Sequence, residues 1–285
     1  MLAEWLQLPG ADERIASWSQ ISGLDLGRLG TTATAEEITD TAVTQPLVVA
    51  TTLLAYAELA KRGLPAQTVV AGHSVGEIAA YAIAGVISPD EAVKLAAVRG
   101  AEMARACAVE PTGMSAVLGG DEAEVLARLE ALELIPANRN AAGQIVAAGA
   151  VSALEKLAED PPAKARVRQL ATAGAFHTHF MASALEGYAA AAAQVSPADP
   201  TTTLLSNADG QPVTSGSDAM AKLVAQLTSP VRWDLCTETM RSLGTTAIVE
   251  FPPAGALTGI AKRELRGVAT HAVKTPADLD GLADL

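Results

Sequence analysis

A short β-branched run, Val69-Val70-Ala71, enters Gly72-His73-Ser74-Val75-Gly76, and out of that turn comes the helix-favouring stretch Glu77-Ile78-Ala79-Ala80-Tyr81-Ala82-Ile83-Ala84. A strand that turns sharply into a helix forces the residue at the apex into a strained conformation. Glycines at 72 and 76 remove the Cβ atoms expected to collide where the two elements cross. The Ser74 hydroxyl is then held clear of the backbone at the positive end of a helix. The Val75 amide is free to donate to an oxyanion. Gly-x-Ser-x-Gly also occurs in ordinary strand–helix turns, but the strand before it and the helix after it favour a nucleophilic serine.

The rest of the chain alternates strands and helices around this turn. Residues 1–45 read as short helices and loops. A helix then opens with Thr44 as cap and Pro46 in its first turn, running to Lys61 and stopping at Gly63. Ser88-Pro89-Asp90-Glu91 is a capping box with proline at the first helical position, and its helix continues to about Ala108. From Thr112 the order becomes βαββαβ, with two strands around Asn138-Arg139-Asn140-Ala141-Ala142-Gly143, the signature of a ferredoxin-like module. Beyond it come the Ala-rich helix Met181–Val195, strands at Leu204–Asn207, Ala247–Phe251 and Val268–Val273, and helices between them, with Pro276–Leu285 closing the chain. This predicts an α/β fold with a mostly parallel sheet flanked by helices. The large unit spans 1–111 and 175–285, and a small subdomain is inserted at 112–174.

Composition narrows the function classes. Only 3% of the 285 residues are aromatic, so Ala, Val, Leu and Ile must build the core. A net charge of −12 argues against nucleic-acid binding, which needs a basic face. No run is expected to cross a membrane, and the start, Met1-Leu2-Ala3-Glu4-Trp5, lacks a basic signal-peptide region. Cys107 and Cys236 stand in no metal or disulfide spacing. A cytoplasmic protein with reduced thiols, and no cofactor, is expected.

Two sets of residues stay open on spacing alone. Leu95, Ala96, Arg99 and Met103 share one helix face, so Arg99 is either a rim arginine reaching water or a buried cation awaiting an anion. Of the histidines, His73 abuts Ser74 but points to the other side of the turn. His271 sits where an α/β-hydrolase places its base. The His177/His179 pair lacks the carboxylates or thiolates of a metal site, which leaves His177 as a second candidate base.

Several segments together resemble the malonyl-CoA:acyl carrier protein transacylase family and the acyltransferase domains of polyketide synthases. They are Gly72-His73-Ser74-Val75-Gly76-Glu77, Arg99-Gly100 with Met103, Asn138-Arg139-Asn140 with Gln144-Ile145-Val146, and Ala175-Phe176-His177-Thr178. Gln226 before Ser229-Pro230-Val231-Arg232-Trp233, and Leu257-Thr258-Gly259 after Glu250, complete the set in the family's order. The resemblance implies Ser74 as nucleophile, His177 as its base, and the backbone carbonyl of Gln226 as the group orienting that imidazole. Val75 supplies an oxyanion N–H. Arg99 grips the free carboxylate of malonyl through a bidentate guanidinium, which settles its two readings in favour of function. Met103, Phe176, Asn140 and Gln144 line the substrate, Phe176 matching the bulky residue that accompanies malonyl rather than methylmalonyl transfer. The implied partners are malonyl-CoA and an acyl carrier protein, with the chain a monomer. Carrier proteins are acidic, so Lys262, Arg263, Arg266 and Arg232 form either a docking patch or simply a solvated helix end.

Two departures bear on this. The family opens with a strand and a Gly-Gln-Gly-x-Gln loop whose glutamine is a second oxyanion donor, and these 285 residues contain no such loop. The resemblance therefore implies weakened transfer, an absent central strand and exposed sheet edges. In addition, Phe251-Pro252-Pro253-Ala254-Gly255 stands where the family has a Gly-Pro-Gly turn, altering entry to the following helix. The rival readings are an esterase or thioesterase using Ser74 with His271, and a catalytically impaired relative that binds only a carrier protein.

Overall fold

The structure, a computed structural model, describes residues 1–63, 69–282 and 285. After a 3-10 turn at Trp5–Gln7, Gly10 in the left-handed region starts α1 (Ala11–Ser22), which ends on Gly23. Asp25 caps α2 (Leu26–Thr31), and a Thr34/Glu37 capping box opens α3 (Ala35–Thr39). The next helix, α4 (Thr41–Ala60), starts four residues earlier than the sequence suggests, because Asp40 rather than Thr44 is its cap: Asp40 Oδ1 accepts from the Ala42 amide at 2.8 Å. The Thr44 hydroxyl donates instead to the Ile38 carbonyl. Contrary to expectation, α4 is long and apolar enough to span a bilayer. Here its Leu47, Val49, Ala50, Leu53 and Leu54 are buried in the core, where the helix packs on α6 (Pro89–Cys107).

The turn of interest runs from β1 (Val69–Val70) into α5 (Gly76–Ile83), and the Ser88/Glu91 capping box then starts α6 as predicted. Residues 112–169 follow as β2 (Thr112–Gly119), α7 (Glu122–Ala131), β3 (Ile135–Ala141), β4 (Gln144–Ala150), α8 (Val151–Glu159) and β5 (Ala165–Gln169). The β3–β4 hairpin is tighter than expected: Ala142-Gly143 alone forms the turn, with Gly143 at φ 69°. Asn140 therefore lies in a strand, beside a register irregularity between Arg139 and Ala141.

Beyond Gln169 come a 3-10 stretch at His179–Ala184, α9 (Leu185–Ala192), β6 (Thr203–Leu204) and α10 (Gly216–Ala225). The chain continues with β7 (Val231–Arg232), α11 (Trp233–Ser242), β8 (Ala247–Glu250), α12 (Ala256–Glu264), β9 (Ala269–Ala272) and a 3-10 turn at Pro276–Leu282. Of the predicted closing segment, residues 283–284 lie outside the described residues. The Glu250 carboxylate makes the entry to α12, accepting from the amides of Gly255, Leu257 and Thr258 at 2.8–2.9 Å.

Strands β5-β2-β4-β3 form an antiparallel sheet, and β7 adds to β3 in parallel. The parallel pairing expected of the large unit is present as two separate ribbons, β1-β6 and β8-β9, among the described residues. The main core gathers α1, α4, α5, α6 and α9 around Trp5, Trp18, Tyr81 and Tyr188, all buried. The polar edges of the two tryptophans are satisfied: Trp18 donates to Asp90 and Trp5 to the Lys274 carbonyl.

Candidate active site

Ser74 sits at φ 53°, the left-handed region that a residue with a Cβ rarely adopts. Gly72 makes this bend possible, since a Cβ there would lie 2.0 Å from the Gly76 carbonyl oxygen. Gly76 itself is not under that constraint; nothing lies within 4 Å of the Cβ it lacks, so the expected collision exists at one glycine of the two. Asn207 pins the turn from behind. Its Oδ1 accepts from the Ser74 amide at 2.8 Å and its Nδ2 donates to the Gly72 carbonyl at 2.7 Å.

The hydroxyl side of the turn faces His177. Nε2 of that ring lies 2.7 Å from Ser74 Oγ, and Nδ1 lies 2.8 Å from the backbone oxygen of Gln226. A carbonyl only accepts, so Nδ1 carries the hydrogen and Nε2 presents its lone pair to the serine hydroxyl. His177 is buried and also has positive φ, 61°. Burial, then the Arg99 guanidinium, then His73 push its pKa down to about 3, so the ring is neutral. His73 turns away, with Nε2 2.8 Å from Asn140 Oδ1 and its ring edge-on to Trp233. His271, in β9, has no partner for its buried Nε2 among the described residues and makes no bond to Ser74.

Arg99 is 1% exposed. Among the described residues no carboxylate lies within ion-pair distance of it. Nη1 donates to Gln45 Oε1 at 2.6 Å, Nη2 donates to Gln226 Oε1 at 2.7 Å and reaches Ser74 Oγ at 3.5 Å, and Nε is unpartnered. Gly100 lets α4 carry Gln45 in this close, because a Cβ there would meet the Thr41 carbonyl at 2.7 Å. A desolvated cation held only by amide oxygens, beside a serine hydroxyl, is a receptor for an anionic group on an acyl chain.

The acyl transferase domain family model matches residues 11–277. The malonyl CoA-acyl carrier protein transacylase of Mycolicibacterium smegmatis is 78% identical over 290 residues, covering all of both chains. The chain belongs to the malonyl-CoA:acyl carrier protein transacylase family. The crystal structure of MCAT from Mycobacterium tuberculosis superposes with a TM-score of 0.97 at 73% identity, covering 99% of this chain and 94% of that one. PlMCAT, solved in complex with its holo type II PKS acyl-carrier protein AntF, superposes at 0.94 with 28% identity, covering 100% and 94%.

Of the residues singled out in the sequence, Ser74, His177, Gln226 and Arg99 converge within hydrogen-bond reach of one another. Met103 is buried behind Gln45, whose Nε2 donates to its sulfur, and Phe176 is half-buried against the main core. Asn140 reaches the site through His73 rather than directly. Gln144 is not brought to it: its Oε1 accepts from Arg263 at the edge of the small sheet. Three participants escaped the sequence reading. Gln45 passed as part of a helix start, Asn207 as the end of a strand, and Glu77 as the last letter of the Gly-His-Ser-Val-Gly-Glu motif. Nothing in local spacing marks them, because each acts on a residue from another element.

Proposed function

We propose that this chain, a cytoplasmic monomer serving fatty acid or polyketide assembly, moves malonyl from malonyl-CoA to the phosphopantetheine thiol of an acyl carrier protein through an acyl-Ser74 intermediate. His177 Nε2 takes the Ser74 proton as Oγ attacks the thioester carbonyl, while Gln226 holds the ring from behind. The Val75 amide faces the oxyanion as it forms. The tetrahedral centre collapses, the C–S bond breaks, and the CoA sulfur leaves with the proton that His177 returns. The carrier thiol then attacks acyl-Ser74, giving its proton to His177, which passes it to the serine oxygen. No resident cofactor or metal enters these steps.

Arg99 sets the acyl group. The malonyl carboxylate takes the place of an amide oxygen at the guanidinium, converting a cation held by neutral dipoles into an ion pair in a dry site. For docking, α12 supplies exposed Lys262 and Arg263, with Arg266 just beyond it. Arg232 is no longer available, being held by Asp234 through bonds of 2.9 and 2.8 Å.

The observation that carries this reading is the buried guanidinium of Arg99 beside a serine already bonded to a neutral histidine. Intact-mass spectrometry after mixing with malonyl-CoA tests it. A malonyl adduct on Ser74, absent from Ser74→Ala and His177→Ala and present in His271→Ala, is the expected result. Adduct formation that survives His177→Ala and fails in His271→Ala overturns it.

A further inference from the structure

We infer that Glu77 is a positioning residue for acyl selectivity: its carboxylate fixes the side-chain amide of Gln226 with the oxygen toward Arg99, keeping the guanidinium aimed at the incoming carboxylate. This rests on the reading of Arg99 as the carboxylate receptor.

Glu77 is 1% exposed in the first turn of α5, beneath the nucleophile, and touches neither Ser74 Oγ nor His177. One carboxylate oxygen accepts from the Asn207 amide at 2.7 Å, and the other accepts from Gln226 Nε2 at 2.5 Å. The Gln226 amide could sit in its slot two ways round. Its nitrogen end meets three acceptors, Glu77 Oε2, the Ser74 carbonyl at 3.2 Å and Asn207 Oδ1 at 3.3 Å. Glu77 is the nearest of these and the charged one. The oxygen end is thereby delivered to Arg99 Nη2, which can only donate. Gln226 thus serves twice: its backbone oxygen sets the His177 ring and its side-chain oxygen sets Arg99. Glu77 governs the second task.

Glutamine at 77 is isosteric but carries one donor end. With its oxygen accepting from Asn207, its NH2 faces the Gln226 NH2, and relief requires Gln226 to flip and turn N–H groups on Arg99. Glu77→Gln is therefore expected to lower kcat/KM for Ser74 acylation by malonyl-CoA about tenfold, mainly through KM, since hydrogen bonds to charged groups are of that worth. Acylation by acetyl-CoA, which has no carboxylate for Arg99, should change less than about twofold. A merely structural role would depress both alike.

The wild-type protein offers a second measurement that needs no variant. Burial raises the Glu77 pKa to about 7 against the bonds from Asn207 and Gln226 and the charges of Arg99 and Lys222. The other ionisable groups facing it are Tyr81 on its own helix, Tyr188 on α9 and Cys236 on α11, all pushed upward by burial. Against the pull of burial, Asp209 and Asp218 hold Lys222 up. With one oxygen still accepting from Asn207, protonation of Glu77 puts an O–H on the oxygen that faces Gln226 and weakens it as an acceptor, so the malonyl-to-acetyl ratio of kcat/KM should fall as pH drops from 8 to 5.5, with a midpoint near 7. The titration of His177 in the free enzyme is common to both thioesters and cancels in that ratio.

Arg99→Ala, measured alongside, separates the two layers. Malonyl preference lost in Arg99→Ala and in Glu77→Gln, with the pH-dependent ratio, supports the assignment. Preference lost in Arg99→Ala but retained in Glu77→Gln overturns the Glu77 role alone, whereas preference lost in both with a ratio flat in pH supports the role with the carboxylate ionised throughout. Preference retained in Arg99→Ala overturns the receptor reading and this inference with it.

Discussion

Arg99 is buried among amide oxygens, and the Glu77 carboxyl group reaches it through Gln226. That arrangement stores an unmet demand for a carboxylate, and burial presses its pKa downward. The same charge lowers the His177 pKa, so a carboxylate bound at Arg99 offsets one of the influences that make the imidazole a weak base. Malonyl therefore helps to activate the base that deprotonates the attacking serine, which acetyl cannot do. Arg99→Lys keeps a charge but loses the fork, and Ser74 acylation by malonyl-CoA should fall by about 10²-fold with acetyl-CoA little changed, measured by stopped-flow release of CoA. Equal losses for the two thioesters would show that the guanidinium supports the fold and not the acyl group.

At the scale of elements, one glycine carries the bend. Gly72→Ala places a Cβ 2.0 Å from the backbone of Gly76 and should abolish acylation and lower the melting temperature by many degrees, whereas Gly76→Ala, facing open space, should fold and acylate Ser74 within a few-fold of the wild type. Thermal unfolding and intact mass on the two variants check this, and equal damage from both would contradict the asymmetry. Gly100→Ala acts at a distance, pushing α4 off α6 at Thr41 and drawing Gln45 away from Arg99; its expected signature is a raised KM for malonyl-CoA. These outcomes mark what could be read in the chain. The elbow, the capping box at Ser88 and the strand–helix order were legible because each is written in neighbouring residues. Gln45, Asn207 and Glu77 were not, since their partners lie 54, 133 and 149 positions away and only the folded chain brings them together. The start of α4 differs from its sequence signal for a smaller reason: Thr44-Gln45-Pro46 imitates a helix opening, while Asp40 already holds the cap.

For the whole molecule, the buried site couples stability to pH through two groups of opposite sign. His177 is neutral in the fold, with a pKa near 3 against an ordinary 6.5, so the unfolded chain binds the extra proton as pH falls and stability is lost between 6.5 and 3. Glu77 runs the other way. Its pKa is raised from 4.5 to about 7, the folded chain binds more protons across that interval, and stability is lost as pH rises through it. Between 4.5 and 6.5 the two slopes oppose, which flattens the dependence of the wild type. Glu77→Gln removes one slope and leaves the other. Whatever constant offset the substitution brings, the variant should gain on the wild type by about 3 kcal/mol between pH 4.5 and 8, several degrees in melting temperature for a chain of this size. On acidification below 6.5 it should lose stability more steeply than the wild type, because the compensating carboxylate is gone. Thermal unfolding of both proteins at intervals of one pH unit reads this directly, and parallel curves would mean that Glu77 is ionised in the fold at every pH tested and acts on Gln226 as a permanent charge.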